Sequence, residues 1–303
     1  MKILIMGSGA MGSLYGGYLS QKNEVYLLDV WEEHLNKVRQ EGLTIDEKDG
    51  SSNVFRPWAF NKEKDIGVID LAIVFVKSTM TEEVIKTNKT LIGEKTIVLT
   101  LQNGYGNSDD IMKYVPKEQI IVGTTGHGCT MKGPGHVFHA GQGPTYIGAM
   151  GENQDVATKV AKVLEDCGFE TIVSDDVFQL IWSKLFVNIG INPITSLIND
   201  TNISIIENPY AHSMAKKLVS EAVKIVNSDG SNFSFEKEFE NVCTVAKRTG
   251  ANRSSMLQDI TNRRKTEISK INGAIVKKAK ELGMEAPFNT LITEMICALE
   301  ETF

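Results

Sequence analysis

Four cysteines in 303 residues, with no CxxC pair among Cys129, Cys167, Cys243 and Cys297, exclude a disulfide framework and point to reduced thiols. Histidine is sparse too. Of the five, His136 and His139 in "HVFH" would fall on opposite faces of a strand, which leaves no credible metal site. Long apolar runs are missing: "LAIVFV" (Leu71–Val76) is the longest, far too short to cross a bilayer. There is no excess of positive charge either. A net charge of -6 and a pI near 5.5 argue against a general nucleic-acid surface. The opening "KILIMG" carries one lysine and no cleavage site, so it is expected to be a strand of the fold and not a secretory signal, in a cytoplasmic protein.

What is present reads as an ordinary globular protein, 42% hydrophobic and 23% charged, long enough for two domains. The first part alternates strand and helix patterns. "KILIMG", "EVYLLD", "DLAIVFVK" and "KTIVLTLQNG" are short apolar runs, separated by helices expected over about 10–21, 32–40 and 80–91, with a less regular stretch up to Asp65. Strands fed by intervening helices mean βαβ units and a doubly wound, mostly parallel sheet. "QIIVGTT", "HVFHAG" and "PTYIGAM" add strands, and a helix closes at Gly168. After "FETIVSD" strand patterns stop. Asp175 and Asp176 suit the first turn of an opening helix, and Asn208 with Pro209 the start of another. A long helix is expected from "SSMLQD" to near Gly283, with a shorter one after Pro287. The division is an α/β domain over 1–172 and an all-helical domain over 173–303. A helical domain can hide its apolar faces within one chain or across a homodimer, and both remain open.

"GSGAMG" spaces Gly7, Gly9 and Gly12 as GxGxxG. The motif alone is weak, but here it leaves an apolar strand and opens a helix, the context that a dinucleotide fingerprint requires. Gly7 permits the tight turn, Gly9 lets the backbone approach a pyrophosphate, and Gly12 allows close helix–strand packing. Along Gly7, Ser8, Gly9, Ala10, Met11 and Gly12, the free N–H groups of the helix start would meet the anion. Asp29 lies 22 residues after Gly7, near where a carboxylate receives the ribose hydroxyls of NAD. It would repel a 2′-phosphate, which leans towards NADH. Lys77, ending "FVK", works the other way and keeps NADPH open.

A nicotinamide cofactor implies hydride transfer, and reducing a carbonyl requires a proton donor and fixed dipoles beside it. In the apolar stretch "FQLIWSKLFVNIGINPITSLI", Lys184, Asn188 and Asn192 recur every four residues along one side of a helix. An amine and two amides are costly to bury without partners. Lys184 can be the acid, and burial should lower its pKa towards the working range; the competing reading has it snorkel outward while the asparagines bond loops. In the long helix the apolar face runs through Ile260, Ile271, Ile275 and Leu282, and Glu267 falls inside it. That carboxylate is either functional or paired with Arg263. Ser255 reads as the cap of a Ser-x-x-Gln box.

With these pieces placed, "GSGAMGS", "FVKS", "LQNGYGN", "GTTGHG", "IWSKLFVNIGINPITSLIND" and "SSMLQDITNRRKTEISKING" together resemble the ketopantoate reductase (2-dehydropantoate 2-reductase) family over nearly the whole chain. The resemblance implies a Rossmann domain, a helical domain and a cleft between them, with a 2-keto acid as substrate. It makes Lys184 the general acid on the ketone oxygen, has Glu267 hold the substrate hydroxyl, and sets Asn103 near the nicotinamide and the lysine. Asn188, Asn192, Asn202 and Ser255 fall at substrate-contacting positions by the same resemblance. One departure stands out: the family usually prefers NADPH and carries a basic residue after the second strand, where this chain has Asp29, Val30 and Trp31. A branch with that pattern acts as NAD-dependent D-2-hydroxyacid dehydrogenases on branched or aromatic 2-keto acids. The expectation is therefore an NAD(P)H-dependent reductase of 2-dehydropantoate, or else an NADH-dependent D-2-hydroxyacid dehydrogenase. A third reading, a non-catalytic nucleotide sensor, would have no need of an acid within reach of a ketone.

Overall fold

The computed structural model describes residues 1–61 and 66–303. Contacts divide them into two units, Met1–Gln102 with Asn107–Leu180 and Asn103–Gly106 with Ile181–Phe303.

In the first unit the chain runs β1 (Lys2–Met6), α1 (Ala10–Leu19), β2 (Glu24–Leu28), α2 (Glu32–Glu41), β3 (Leu43–Asp46), β4 (Ser52–Phe55), β5 (Trp58–Phe60), β6 (Leu71–Val74), α3 (Thr81–Thr87), β7 (Ile97–Thr100) and α4 (Asn107–Met112). It continues through β8 (Ile120–Thr125), β9 (Gly128–Gly133), β10 (His136–Gly141), β11 (Thr145–Ala149), α5 (Asp155–Glu165) and β12 (Thr171–Val173). Eight strands form one sheet in the order β12-β11-β8-β7-β6-β1-β2-β5. Its pairs are parallel except β8 with β11. β6 is buried at every residue, as a strand covered on both faces must be. The chain leaves β1 towards β2 on one side and resumes at β6 on the other. The carboxyl ends of β1 and β6 therefore mark a topological switch point, where open α/β sheets bind ligands.

Four strands, β4-β3-β10-β9, make a second, smaller sheet. β3, β4 and β5 fall in the stretch expected to be irregular, whose last residues, 62–65, lie outside the described ones. These strands are only three or four residues long, and of them β3 alone alternates buried and half-buried positions. The second sheet explains the small residues of α1, which is wedged between the two layers. A Cβ on Gly16 would stand 2.4 Å from Leu27 of the large sheet, and one on Gly17 2.7 Å from Ile45 of the small one.

The second unit is helical. α6 (Val177–Ile198), which begins in the first unit, is followed by α7 (Ser204–Glu207), α8 (Pro209–Asn227), α9 (Phe235–Arg248), α10 (Ser255–Thr261), α11 (Asn272–Glu281) and α12 (Pro287–Glu300). The Asn208 side chain caps α8 by accepting from the N–H groups of Tyr210 and Ala211, with Pro209 at the first position. Asp175 and Asp176 lie just ahead of α6 and not in its first turn. Gly190 of α6 lets α8 and α9 approach; its Cβ would stand 3.0 Å from Val219 and 2.9 Å from Val242.

Two expected helices are broken. The one expected over about 80–91 is helical only as α3, between short 3-10 turns. The long helix expected from Ser255 to Gly283 is α10, a 3-10 turn at Ile268–Lys270, and α11. Between them "TNRRKTE" offers no apolar side chain to bury. Arg263 takes a positive φ of 51°, and the Arg264 N–H turns back to the Asp259 carbonyl, which ends α10. Ile260, in α10, and Ile271, just ahead of α11, thus do not share a helix, and the last helix, α12, outruns α11.

Candidate active site

The glycine loop is shaped by what a side chain would strike. Gly7 has φ +95°, and its Cβ would lie 2.5 Å from the Val76 nitrogen beyond β6; a Cβ on Gly12 would lie 1.9 Å from the Gly7 carbonyl oxygen. Gly9 differs. It is exposed and its Cβ would meet nothing within 4 Å, so the space beside it is open to a ligand. α1 starts at this glycine with no side-chain cap and no acidic residue in its first turn, leaving the N–H groups of Ala10, Met11 and Gly12 for an anion. The buried Ser8 hydroxyl has no hydrogen-bond partner among the described residues.

Asp29, just past β2, accepts the Ser8 N–H at 2.6 Å and the Trp31 N–H at 3.0 Å. Those two bonds hold a carboxylate against the glycine loop, where a ribose would come. Trp31 stacks on His34 with centroids 5.2 Å apart, and His34 faces the Ser13 hydroxyl at 3.2 Å. Lys77 is exposed three residues after β6. This cradle fits a dinucleotide: backbone donors for a pyrophosphate, open space at Gly9, and a fixed carboxylate for hydroxyls.

The second unit carries the other residues on five segments. Lys184 and Asn188 on α6 are half-buried, and Asn192, two turns along from Lys184, is 6% exposed. Burial pulls the Lys184 ammonium down to about 8, and the Glu267 carboxylate opposes that by drawing it up. Glu267 is therefore close enough to Lys184 to matter, but it gets there from the residue that precedes the 3-10 turn, not from a helix stripe. With no helix through 263–267, the i,i+4 geometry for Arg263 is gone.

Asn103 belongs to the segment that joins this unit. Two residues on, the Tyr105 N–H donates to the Lys270 carbonyl at 2.9 Å, and the Tyr105 ring stacks on Trp182 at 4.2 Å. Lys278 lies over both rings. Gly104, at φ +89°, has to be glycine because its Cβ would stand 2.7 Å from the Lys270 oxygen. The Asn103 segment is thus fixed beside both the Glu267 turn and the Lys184 helix. Tyr105 and Trp182 were absent from the sequence expectation; an aromatic inside the glycine turn "NGYG" was the available signal.

Ser255 is not the cap of α10. Ser254 is, accepting from the Leu257 N–H at 3.1 Å, and its hydroxyl also receives the Thr195 hydroxyl of α6 at 2.8 Å. Ser255 is left exposed at the first helical position. Asn202 donates to the Thr249 hydroxyl at 2.9 Å, and its backbone N–H to the Asn252 carbonyl, which ties it to the loop leading into α10. Its Oδ1 is buried with no hydrogen-bond partner among the described residues.

Residues 3–152 match the family model described as "Ketopantoate reductase PanE/ApbA", and residues 176–300 the one described as "Ketopantoate reductase PanE/ApbA C terminal". A 2-dehydropantoate 2-reductase of Pyrococcus abyssi is 36% identical over 298 residues, covering 98% of this chain and 97% of that protein. One of Halobacterium salinarum is 34% identical over 301 residues, covering 98% of each. Among solved structures, a D-mandelate dehydrogenase in ternary complex with NADH and anilino(oxo)acetate superposes with a TM-score of 0.95 at 31% identity, covering 100% of this chain and 99% of that one. No helix among the described residues is long and apolar enough to cross a membrane. The chain is an oxidoreductase that uses a nicotinamide cofactor on the CH–OH group of a small molecule, and it belongs to the ketopantoate reductase family.

Proposed function

We propose that the protein reduces the ketone of a 2-keto acid, 2-dehydropantoate to (R)-pantoate in the first instance, with Lys184 as the general acid. The observation that carries the reading is the Lys184 ammonium, brought to about 8 by burial and faced by Glu267 from a separate segment. An amine so poised is charged at neutral pH yet gives up its proton readily. A bound reduced nicotinamide supplies the hydride to the ketone carbon. Lys184 Nζ donates a proton to the oxygen on which charge develops, and is left as a neutral amine beside the Glu267 carboxylate. Asn103 and Asn188 hold the carbonyl in line through their amides. Glu267 accepts the substrate hydroxyl, while Asn192, Asn202 and Ser255 receive the remaining polar groups; Asn202 brings its unpartnered Oδ1.

For the cofactor we infer NADH ahead of NADPH, because the carboxylate of Asp29 is fixed by two backbone N–H groups where a 2′-phosphate would have to sit. That same residue, with the likeness to a D-mandelate dehydrogenase solved with NADH, favours a second reading as an NADH-dependent D-2-hydroxyacid dehydrogenase. The retained hydroxyl-binding set of Glu267 and the asparagines favours ketopantoate. A panel of 2-keto acids, from 2-dehydropantoate to branched and aromatic ones, assayed with NADH and NADPH, separates them. The highest kcat/KM on 2-dehydropantoate is expected; a clear preference for phenylglyoxylate-type acids would replace the first reading with the second.

A further inference from the structure

The buried face of α12 runs through Asn289, Ile292, Ile296 and Glu300, all 7% exposed or less. A carboxylate in the core-facing row of the last helix needs a partner. At the top of that row, Asn289 is fixed by donating to the Leu218 carbonyl and to the Glu221 carboxylate of α8. At the bottom, Glu300 accepts the buried N–H of Thr266 at 2.7 Å. Thr266 immediately precedes Glu267, and its hydroxyl takes the Ile268 N–H at 3.1 Å, while the Glu267 carbonyl accepts from Lys270 and Ile271. The segment ahead, 261–265, is polar and exposed, so it offers the turn little packing. Lys265 comes only to 3.8 Å of Glu300 and makes its shorter pair with exposed Glu301.

We propose that Glu300 is a positioning residue: by holding the Thr266 N–H from the end of α12, it fixes the turn that presents Glu267 to Lys184. The inference rests on the role assigned to Glu267 above. It reaches that role through one charged hydrogen bond between segments 34 residues apart. A misplacement of about 1 Å at a reacting group can cost about a hundredfold in rate.

The test is a double-mutant cycle on the full-length protein, with the 2-keto acid reduced fastest in the panel as substrate. Glu300→Ala should lower kcat/KM about 10- to 100-fold, with NADH affinity unchanged because Glu300 and the nucleotide cradle lie in different units. Glu300→Gln, which keeps an acceptor oxygen, should recover most of the loss. In a Glu267→Gln background Glu300→Ala should change little further, since both act through one group. Lys265→Ala should leave kcat/KM as it is. If Glu300→Ala does not fold, Glu300→Asp, which retracts the acceptor by one methylene, carries the same cycle. Losses that multiply in the double variant, or a folded Glu300→Ala enzyme with unimpaired kcat/KM beside an impaired Glu267→Gln, would overturn the proposal alone. An unimpaired Glu267→Gln enzyme would overturn the role of Glu267 itself, and this proposal with it.

Discussion

The two units arrange their chemistry in opposite ways. The proposed nucleotide cradle leaves atoms out: Gly7 and Gly12 have no room for a Cβ, and a Cβ on Gly9 would meet nothing within 4 Å. The helical unit instead carries charged and amide side chains on α6, the Glu267 turn, the Asn103 segment and the Asn202 loop, with Glu267 acting on Lys184. The first should therefore fail when a methyl group is added, the second when a polar group is removed.

Removing the Lys184 amine has the largest expected effect. Lys184→Ala should lose about 10²- to 10⁴-fold in kcat while NADH titrates as before; a loss of nucleotide binding alongside would erase the contrast between the units. Next comes Asp29→Ala. Taking away the fixed carboxylate should raise kcat/KM with NADPH relative to NADH by about tenfold or more, as relief of a like-charge contact predicts. A strong NADPH preference in the unmutated enzyme would end that argument. The smallest and sharpest effect compares two glycines in one loop. Gly12→Ala pushes a methyl group into the Gly7 carbonyl and should cost about 1–3 kcal/mol of stability, read as a drop in Tm. Gly9→Ala meets no protein atom, so Tm should hold while NADH affinity falls. Equal effects on Tm would contradict the division of labour within the loop.

The same contrast governs what could be read from the sequence. The requirements of "GSGAMG" are local, so strand, turn and helix sit together in the string, and the buried runs of β1, β6 and β7 announce a parallel sheet directly. The face of α6 was legible for a similar reason, because a four-residue spacing within one helix needs no knowledge of the fold. The Glu267 turn was not. Its residues continue a helical pattern, and what breaks it is a left-handed Arg263 and an acceptor on α12, neither of which a window of sequence contains. The cap of α10 was misread by one position because Ser254 and Ser255 are equivalent as letters; the Thr195 hydroxyl on α6 accompanies the choice of Ser254. The small sheet escaped because its two hairpins, β3 with β4 and β9 with β10, come together through the long-range pairing of β3 with β10, His136 beside Thr44.

The measurement that bears most directly on the proton donor is the pH dependence of kcat/KM for ketone reduction in the wild type, Lys184→Ala and Glu267→Gln. The acid must be charged to act, so reduction should be level below about 8 and fall above it in the wild type. Because Glu267 holds the lysine up, its replacement by glutamine should move the fall to lower pH, and Lys184→Ala should abolish it. A fall near pH 8 that survives unchanged in Lys184→Ala would show that another group delivers the proton.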